Sequence, residues 1–297
     1  EDATIVNCRI RGKIRLDGLR TTNPIAVGDV VLIDDEIDDE GNRMITDFEK
    51  RVNYIVRKST NLSKQMQILA ANIDRAYLVI TLKNPPTHLA FIDRFLVSAE
   101  SFRIPTTILI NKMDLYDEDD LEYAKALGFM YGEIGYPTQL ISAESIETVT
   151  HLREEIKGHQ VMISGHSGVG KSTLVNALDS KLNLQTGEIS KAHAQGKHTT
   201  TFAEMHQLST GGYIIDTPGI RAFGIIEIEK EVISHYFPEM RQRLNECKFH
   251  NCKHLNEPNC AVKLAVENGD IFESRYQTYV QLMTEDPTES YRKNEYQ

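Results

Sequence analysis

Gly165, Gly170, Lys171 and Ser172 stand at the spacing G-x-x-x-x-G-K-S within Gly165-His166-Ser167-Gly168-Val169-Gly170-Lys171-Ser172. Residues of these types at this spacing cradle phosphate groups. The glycines let the backbone curl until successive N–H groups point at phosphate oxygens, and the following helix turns its positive end to the same anion. Lys171 would supply a point charge to β- and γ-phosphates, and Ser172 a hydroxyl to the magnesium ion that bridges them. Thr173, next in the chain, belongs to the same candidate site.

A second group could choose the base. The carboxylate of Asp114, in Asn111-Lys112-Met113-Asp114, can accept from the N1–H and 2-amino group of guanine, whereas adenine offers it an acceptor and a C–H. A buried carboxylate left unpaired is expensive, so the residue would discriminate, and an ATPase is disfavoured. Asn111 would tie this loop to the phosphate loop or touch the base, and the stem of Lys112 would cover the ring. Asp114 could instead cap a helix over 116–128. Ser142-Ala143-Glu144, at the end of the next strand, offers a backbone amide to guanine O6 and favours base reading.

Downstream, the polar stretch 185–198 carries Gly187 and Gly196 without apolar periodicity, as a switch loop does. It runs into Thr199-Thr200-Thr201. Thr199 and Thr200 join the candidate nucleotide site, with Thr200 as a magnesium ligand, although the sequence leaves the choice among the three open. In Asp216-Thr217-Pro218-Gly219, Asp216 would hold magnesium through water and the Gly219 N–H would meet a γ-phosphate.

A third group, Cys247, Cys252, His254 and Cys260, falls within fourteen residues. Three thiolates and an imidazole make a closed, tetrahedral and hence structural zinc site. His250 competes for the fourth place. The remaining cysteine, Cys8, stands alone, so a metal site fits better than a disulfide framework.

These groups need elements to hold them together. Residues 159–164 read as an apolar strand entering the phosphate loop, and Leu174, Val175, Ala177 and Leu178 carry helical spacing behind it. From about 72 to 225, strands (76–82, 106–110, 138–142, 213–215) alternate with helices (88–102, 121–127, 146–157), the pattern of a doubly wound α/β domain with ligands at the carboxyl ends of its strands. Residues 1–68 look all-β, with short runs at 4–16, 30–37, 43–48 and 52–56 that suggest a small barrel. In the first run, Arg9, Arg11, Lys13 and Arg15 alternate with apolar residues, which puts four cations on one strand face. That ridge is either an RNA-backbone contact or a solvated face. The acidic run 34–42 reads as a solvated, mobile hairpin tip. Helices are expected at 261–267 and 271–283, with Arg275, Arg292 and Lys293 as candidate RNA contacts, and disorder is expected after Pro287.

At 297 residues, 40% of them hydrophobic, the chain should form two or three domains. The formal net charge of −10 argues against indiscriminate nucleic-acid binding but leaves room for local basic patches. No apolar run approaches the roughly 20 residues that span a bilayer, and no signal-peptide pattern opens the chain. A soluble, cytoplasmic, monomeric protein without a membrane partner is expected; Glu1 in place of Met leaves room for a missing N-terminal piece.

Together the motifs resemble a Ras-like GTPase, in a different order. Asn111–Asp114 and Ser142-Ala143 come first, then the phosphate loop, the threonines and Asp216–Gly219, as in a circularly permuted GTPase. With the preceding barrel and the following cysteine cluster, the whole chain resembles the ribosome small-subunit-dependent GTPases, the RsgA/YjeQ family. The resemblance implies an OB-type β-barrel over 1–68, a permuted Ras-like P-loop GTPase domain over 69–225 and a small helical zinc domain over 226–297, with His254 as the fourth zinc ligand. It implies GTP and GDP, Mg2+ and Zn2+ as cofactors. It also implies the small ribosomal subunit and its rRNA as partners, in late maturation, with hydrolysis stimulated by the subunit. Ile220 occupies the place where Ras-like enzymes put a water-orienting glutamine. His198, beside the threonines, is the sequence's own replacement, and the resemblance points to it too. An alternative is an RNA-docking assembly factor in which guanine nucleotide only sets affinity. Because Asp216–Gly219 is the last motif before the C-terminal domain, nucleotide state is expected to reorient that domain.

Overall fold

Alternation of apolar side chains along one strand decides the central architecture. In the computed structural model, which describes residues 4–10, 23–58, 66–182, 203–216 and 228–285, the strands are β1 (Cys8–Ile10), β2 (Val31–Ile37), β3 (Arg43–Phe48), β4 (Tyr54–Lys58), β5 (Met66–Ala71), β6 (Arg75–Ile80), β7 (Thr106–Ile110), β8 (Thr138–Leu140), β9 (Gln160–Ser164), β10 (Glu204–Gln207) and β11 (Tyr213–Asp216). The helices that cover the large sheet are α1 (Leu89–Ser101), α2 (Glu118–Ile134), α3 (Ile146–Ile156) and α4 (Lys171–Leu178).

The sheet has six strands in the order β10-β11-β9-β6-β7-β8, parallel except for the edge strand β10. Successive side chains of a strand point to opposite faces. Ala76, Leu78 and Ile80 of β6 therefore share a core with Ile92, Phe95 and Leu96 of α1 and Leu127 and Tyr131 of α2. Tyr77 and Val79, between them, pack with Leu152 of α3 and Leu174 of α4 on the other side. β9 and β7 flank β6 on opposite sides, so the side on which successive strands are added reverses between β6 and β9. In open α/β sheets the crevice at such a switch point takes ligands.

Helix boundaries follow local capping rather than apolar periodicity. The helix expected at 121–127 is α2, longer at both ends. Asp117 accepts from Asp120 N, the Asp120 carboxylate accepts from Asp117 N, and Gly135 at φ +108° ends the helix. The cap is thus Asp117; Asp114 does not cap α2 and belongs instead to a short 3-10 turn, Met113–Leu115.

The described N-terminal strands form two separate sheets. β1 runs parallel to β3 and β2 antiparallel to it, which makes a three-stranded sheet, while β4 and β5 pair separately. Among the described residues these sheets do not close. β1 is only three residues long, and an isolated parallel bridge from Val27 to Ala70 connects a loop to β5. Ile55 of β4 and Ala70 of β5 instead join the core under α1 and α2. Arg9 pairs with Glu40 and Asp38 of the acidic hairpin, so this cation of the expected ridge meets carboxylates of its own chain. Arg11, Lys13 and Arg15 lie outside the described residues, as do Arg292, Lys293 and the tail after Pro287.

The C-terminal segment folds as α5 (Pro238–Arg241), α6 (Ala261–Glu267) and α7 (Glu273–Thr284) with a 3-10 segment, Lys230–Tyr236. Its apolar cluster of Ile233, Phe237, Met240, Val262 and Tyr279 includes Val97 of α1. Arg275 of α7, expected as an RNA contact, is corrected by its surroundings: it is 0% exposed. Its Nη1 donates to Asp93 of α1 at 2.8 Å, its Nε donates to Glu239 of α5 at 2.8 Å, and its guanidinium lies 4.6 Å from the centroid of the Phe237 ring. Asp93 also accepts from Tyr131 of α2 at 2.8 Å and Thr278 of α7 at 2.7 Å. A guanidinium enters an apolar interior only with such partners, and here its carboxylates come from two other helices, α1 and α5.

Candidate functional site

The phosphate loop connects β9 to α4, and its first and last glycines are required by contact. Gly165 runs so close to β6 that a Cβ would lie 2.3 Å from the Val79 carbonyl oxygen. Gly170 caps α4 at φ +93°, where a Cβ would lie 2.6 Å from Asn111 Nδ2. Val169 between them is buried. Lys171 Nζ donates to the His166 carbonyl at 2.7 Å, and Ser172 and Thr173 follow in the first turn of α4. Ser167 and Gly168 lie at the exposed tip of the loop.

Asn111, at the end of β7, is 1% exposed and joins three loops. Its Nδ2 donates to the Val169 carbonyl at 2.9 Å, and its Oδ1 accepts from Ala143 N at 3.2 Å. Of the two roles open to Asn111, the observed contacts are those of the loop tie. Lys112, left-handed at φ 66°, donates from Nζ to the carbonyls of Gly168 at 2.8 Å and Asn84 at 2.5 Å. Met113 N donates to the Ile141 carbonyl at 3.1 Å. Asp114 is exposed and accepts from the Ser142 hydroxyl at 2.5 Å, while Ser142 Oγ accepts from Glu144 N at 3.2 Å. Asp216 closes β11 beside β9, at the same carboxyl edge. His198, Thr199, Thr200, Gly219 and Ile220 lie outside the described residues.

Motif reading missed the segment after β6. Thr81, Asn84, Pro85 and Thr87 back the phosphate loop. A Cβ on Gly168 would lie 3.2 Å from Pro85 Cδ, and Thr87 Oγ1 lies 2.6 Å from His166 Nε2. Tyr116 OH donates to the Asn111 carbonyl at 2.5 Å and accepts from Leu82 N at 3.0 Å, fastening this segment to the base-reading loop. The available sequence signal was the turn-forming Asn84-Pro85-Pro86 at the end of a buried strand. Burial holds the His166 imidazole below its ordinary pKa, and the nearby Lys171 and Lys112 charges act in the same direction.

The second site lies in the C-terminal segment. One ligand atom from each of Cys247, Cys252, His254 and Cys260 falls within 4.8 Å of all the others. His254 Nδ1 is 3.6 Å from Cys247 Sγ and 3.3 Å from Cys260 Sγ, and the two sulfurs are 4.0 Å apart. A tetrahedral ion with Zn–S bonds of about 2.3 Å separates its sulfurs by about 3.8 Å, so this donor set fits zinc. His250, the competitor, is exposed and outside the cluster. Glu257 accepts from the N–H groups of Lys253, Leu255 and Asn256, while the Tyr276 and Tyr279 hydroxyls donate to the carbonyls of His254 and Lys253, both at 2.7 Å. Burial pushes the Cys252 thiol up to about 12 and raises Cys260, while it lowers His254. All three directions favour neutral ligands in the bare protein, which a cation would reverse for the thiols.

The G-x-x-x-x-G-K-S loop, the N-K-x-D loop and the serine loop meet at one sheet edge, with the strand of N-K-x-D preceding that of G-x-x-x-x-G-K-S in the chain. This is the arrangement of a circularly permuted P-loop GTPase. The chain belongs to the RsgA GTPase family, which residues 48–226 match. The small ribosomal subunit biogenesis GTPase RsgA of Bacteroides fragilis is 51% identical over 292 residues, covering 98% of this chain and 94% of that protein. Its counterpart from Christiangramia forsetii is 49% identical over 298 residues, covering 100% and 94%. Among solved structures, YjeQ from Thermotoga maritima superposes with a TM-score of 0.75 at 39% identity, covering 94% of this chain and 88% of that one. YloQ, described as a circularly permuted GTPase, gives 0.71 at 30% identity, covering 95% and 86%.

Proposed function

We propose that this chain hydrolyses GTP in the crevice between β6 and β9 and acts in biogenesis of the small ribosomal subunit, as its relatives' names describe for them. The observation that carries the reading is Asn111, whose one amide holds the phosphate loop at Val169 and the serine loop at Ala143. A base selector and a phosphate cradle joined so directly suit one guanine nucleotide. Gly165 to Thr173 would bind the phosphates through backbone N–H groups and Lys171, Asp114 would accept from guanine, and the Ala143 amide would face O6. Ser172, Asp216 and one of Thr199–Thr201, with Thr200 preferred, would hold magnesium, which supplies positive charge to the β- and γ-phosphates. Ser172 lies in α4, which follows β9, and Asp216 ends β11, which pairs with β9.

Ile220 cannot orient water, so His198 would do so, with hydrolysis slow until the small subunit orders the site. Cys247, Cys252, His254 and Cys260 would hold one structural zinc. The reading keeps an OB-type RNA-binding unit over 1–68, the GTPase domain over 69–225 and the zinc domain over 226–297, in a cytoplasmic monomer that contacts rRNA. GTP turnover with and without purified small subunits tests the function. Stimulation by orders of magnitude is expected, and His198→Ala should remove about 10²-fold or more of the stimulated rate at near-normal nucleotide affinity. Equal turnover with and without subunits would instead support an RNA-docking factor whose nucleotide only sets affinity.

A further inference from the structure

His166 occupies a position at which the phosphate-loop pattern specifies no side chain, yet its imidazole is held on several sides. Nε2 lies 2.6 Å from Thr87 Oγ1, Nδ1 lies 3.1 Å from the Ser167 carbonyl, and the Phe91 ring of α1 meets the imidazole edge-on at 5.4 Å between centroids. The contacts assign one neutral tautomer. Nδ1–H donates to Ser167, leaving Nε2 to accept from the Thr87 hydroxyl, whose oxygen in turn accepts from Thr81 N at 3.1 Å.

Thr87 is itself fixed. Its N–H donates to the Thr81 carbonyl at 2.8 Å, and the Thr81 hydroxyl donates to the Pro85 carbonyl at 2.6 Å. Thr81 is 0% exposed at the end of β6. The backing segment is therefore a closed turn anchored to the strand beside the phosphate loop. On the other side of His166, its own carbonyl accepts from Lys171 Nζ.

We propose that His166 is a positioning residue for nucleotide binding, its imidazole pinning the first peptides of the phosphate loop to Thr87 and so fixing the anchor of Lys171. This rests on the assignment of Gly165 to Thr173 as the phosphate site. Phosphate oxygens are bound by backbone N–H groups whose directions must be set before the ligand arrives; a loop free to rotate loses affinity when it is ordered. A glutamine amide can reach the place of imidazole Nε2 and accept from Thr87, whereas alanine cannot.

The test is equilibrium titration of the full chain with GDP. His166→Ala and Thr87→Val should each weaken binding about five- to tenfold, the size of one hydrogen bond. His166→Gln and Thr87→Ser should recover most of the loss, and the double variant His166→Ala/Thr87→Val should bind no worse than the weaker single one. A purely structural role would lower the melting temperature of the nucleotide-free protein in step with affinity, and glutamine would not restore it. Wild-type affinity in His166→Ala, or additive losses in the double variant, would overturn the proposal. Lys171→Ala separates the two levels: if it binds GDP like the wild type, the phosphate-site assignment fails; if it loses binding while His166→Ala does not, the positioning role alone fails.

Discussion

In the proposed guanine site, base selectivity would turn on Asp114. It stands exposed in the short turn after Lys112 and receives the Ser142 hydroxyl on one oxygen. That contact orients the carboxylate without neutralising it, as preorganised recognition of two donors requires. Asp114→Asn replaces one acceptor oxygen with a donor, which then faces the donors of guanine. GDP affinity should fall by roughly 10²-fold, since hydrogen bonds to a charged group contribute about 1.5–3 kcal/mol each. Xanthine nucleotides, which present an acceptor at the 2-position, should gain relative to GDP in a competition titration. An unchanged ratio would remove Asp114 from base reading.

Among the elements, α1 carries the most consequences. Its inner face lies in the sheet core through Ile92, Phe95 and Leu96, and its outer face holds the C-terminal segment through Asp93, Val97 and Arg94. Asp93 and Arg275 are both 0% exposed, whereas Arg94 and Glu285 at the rim are partly solvated. Removing one member of a buried pair strands the other, at about 3–5 kcal/mol; an exposed pair contributes about 0–1 kcal/mol. Asp93→Ala should therefore lower stability by that larger amount in denaturant unfolding, and Glu285→Ala by about 1 kcal/mol or less. The metal loop is the second such element. Its three thiols and imidazole crowd within 4.8 Å around a donor set that fits zinc. The isolated protein should carry one zinc per chain by elemental analysis, Cys260→Ser should reduce that content, and chelation should lower the melting temperature. Full stability after complete chelation would show that the cluster folds without the ion.

At the scale of the whole molecule, the C-terminal segment is bound in two ways, and they bear differently on signalling. The chain after Asp216 leads into it, which gave reason to expect that loss of the γ-phosphate would swing the domain. Its docking face, however, is a buried ion cluster joining α1, α2, α5 and α7, with Arg275 also over the Phe237 ring. Undocking would expose Asp93, Glu239 and Arg275 at a cost comparable to breaking a buried pair. Labels on α1 and α6 should hence report the same distance with GDP and with a non-hydrolysed GTP analogue. A change in that distance would show that the interface opens during the cycle.

What could be read without the fold was what depends on near neighbours in the chain. G-x-x-x-x-G-K-S, N-K-x-D and the cysteine spacing are local, and the near-continuous apolar run of β6 identifies a strand buried on both faces, so the α/β sheet, the loops of the proposed guanine site and the cysteine–histidine cluster were legible. Tertiary structure decided whatever rests on distant partners. Thr87 and His166 are 79 residues apart in the chain, and Asp93 and Arg275 are 182 apart. Its place in an expected C-terminal helix made Arg275 a candidate RNA contact, and packing made it an interior cation. The N-terminal strands show the same division: their existence followed from β-rich runs between turns, but their partners did not. Pairing depends on which edges meet in space, and β4 and β5 met each other and the GTPase core.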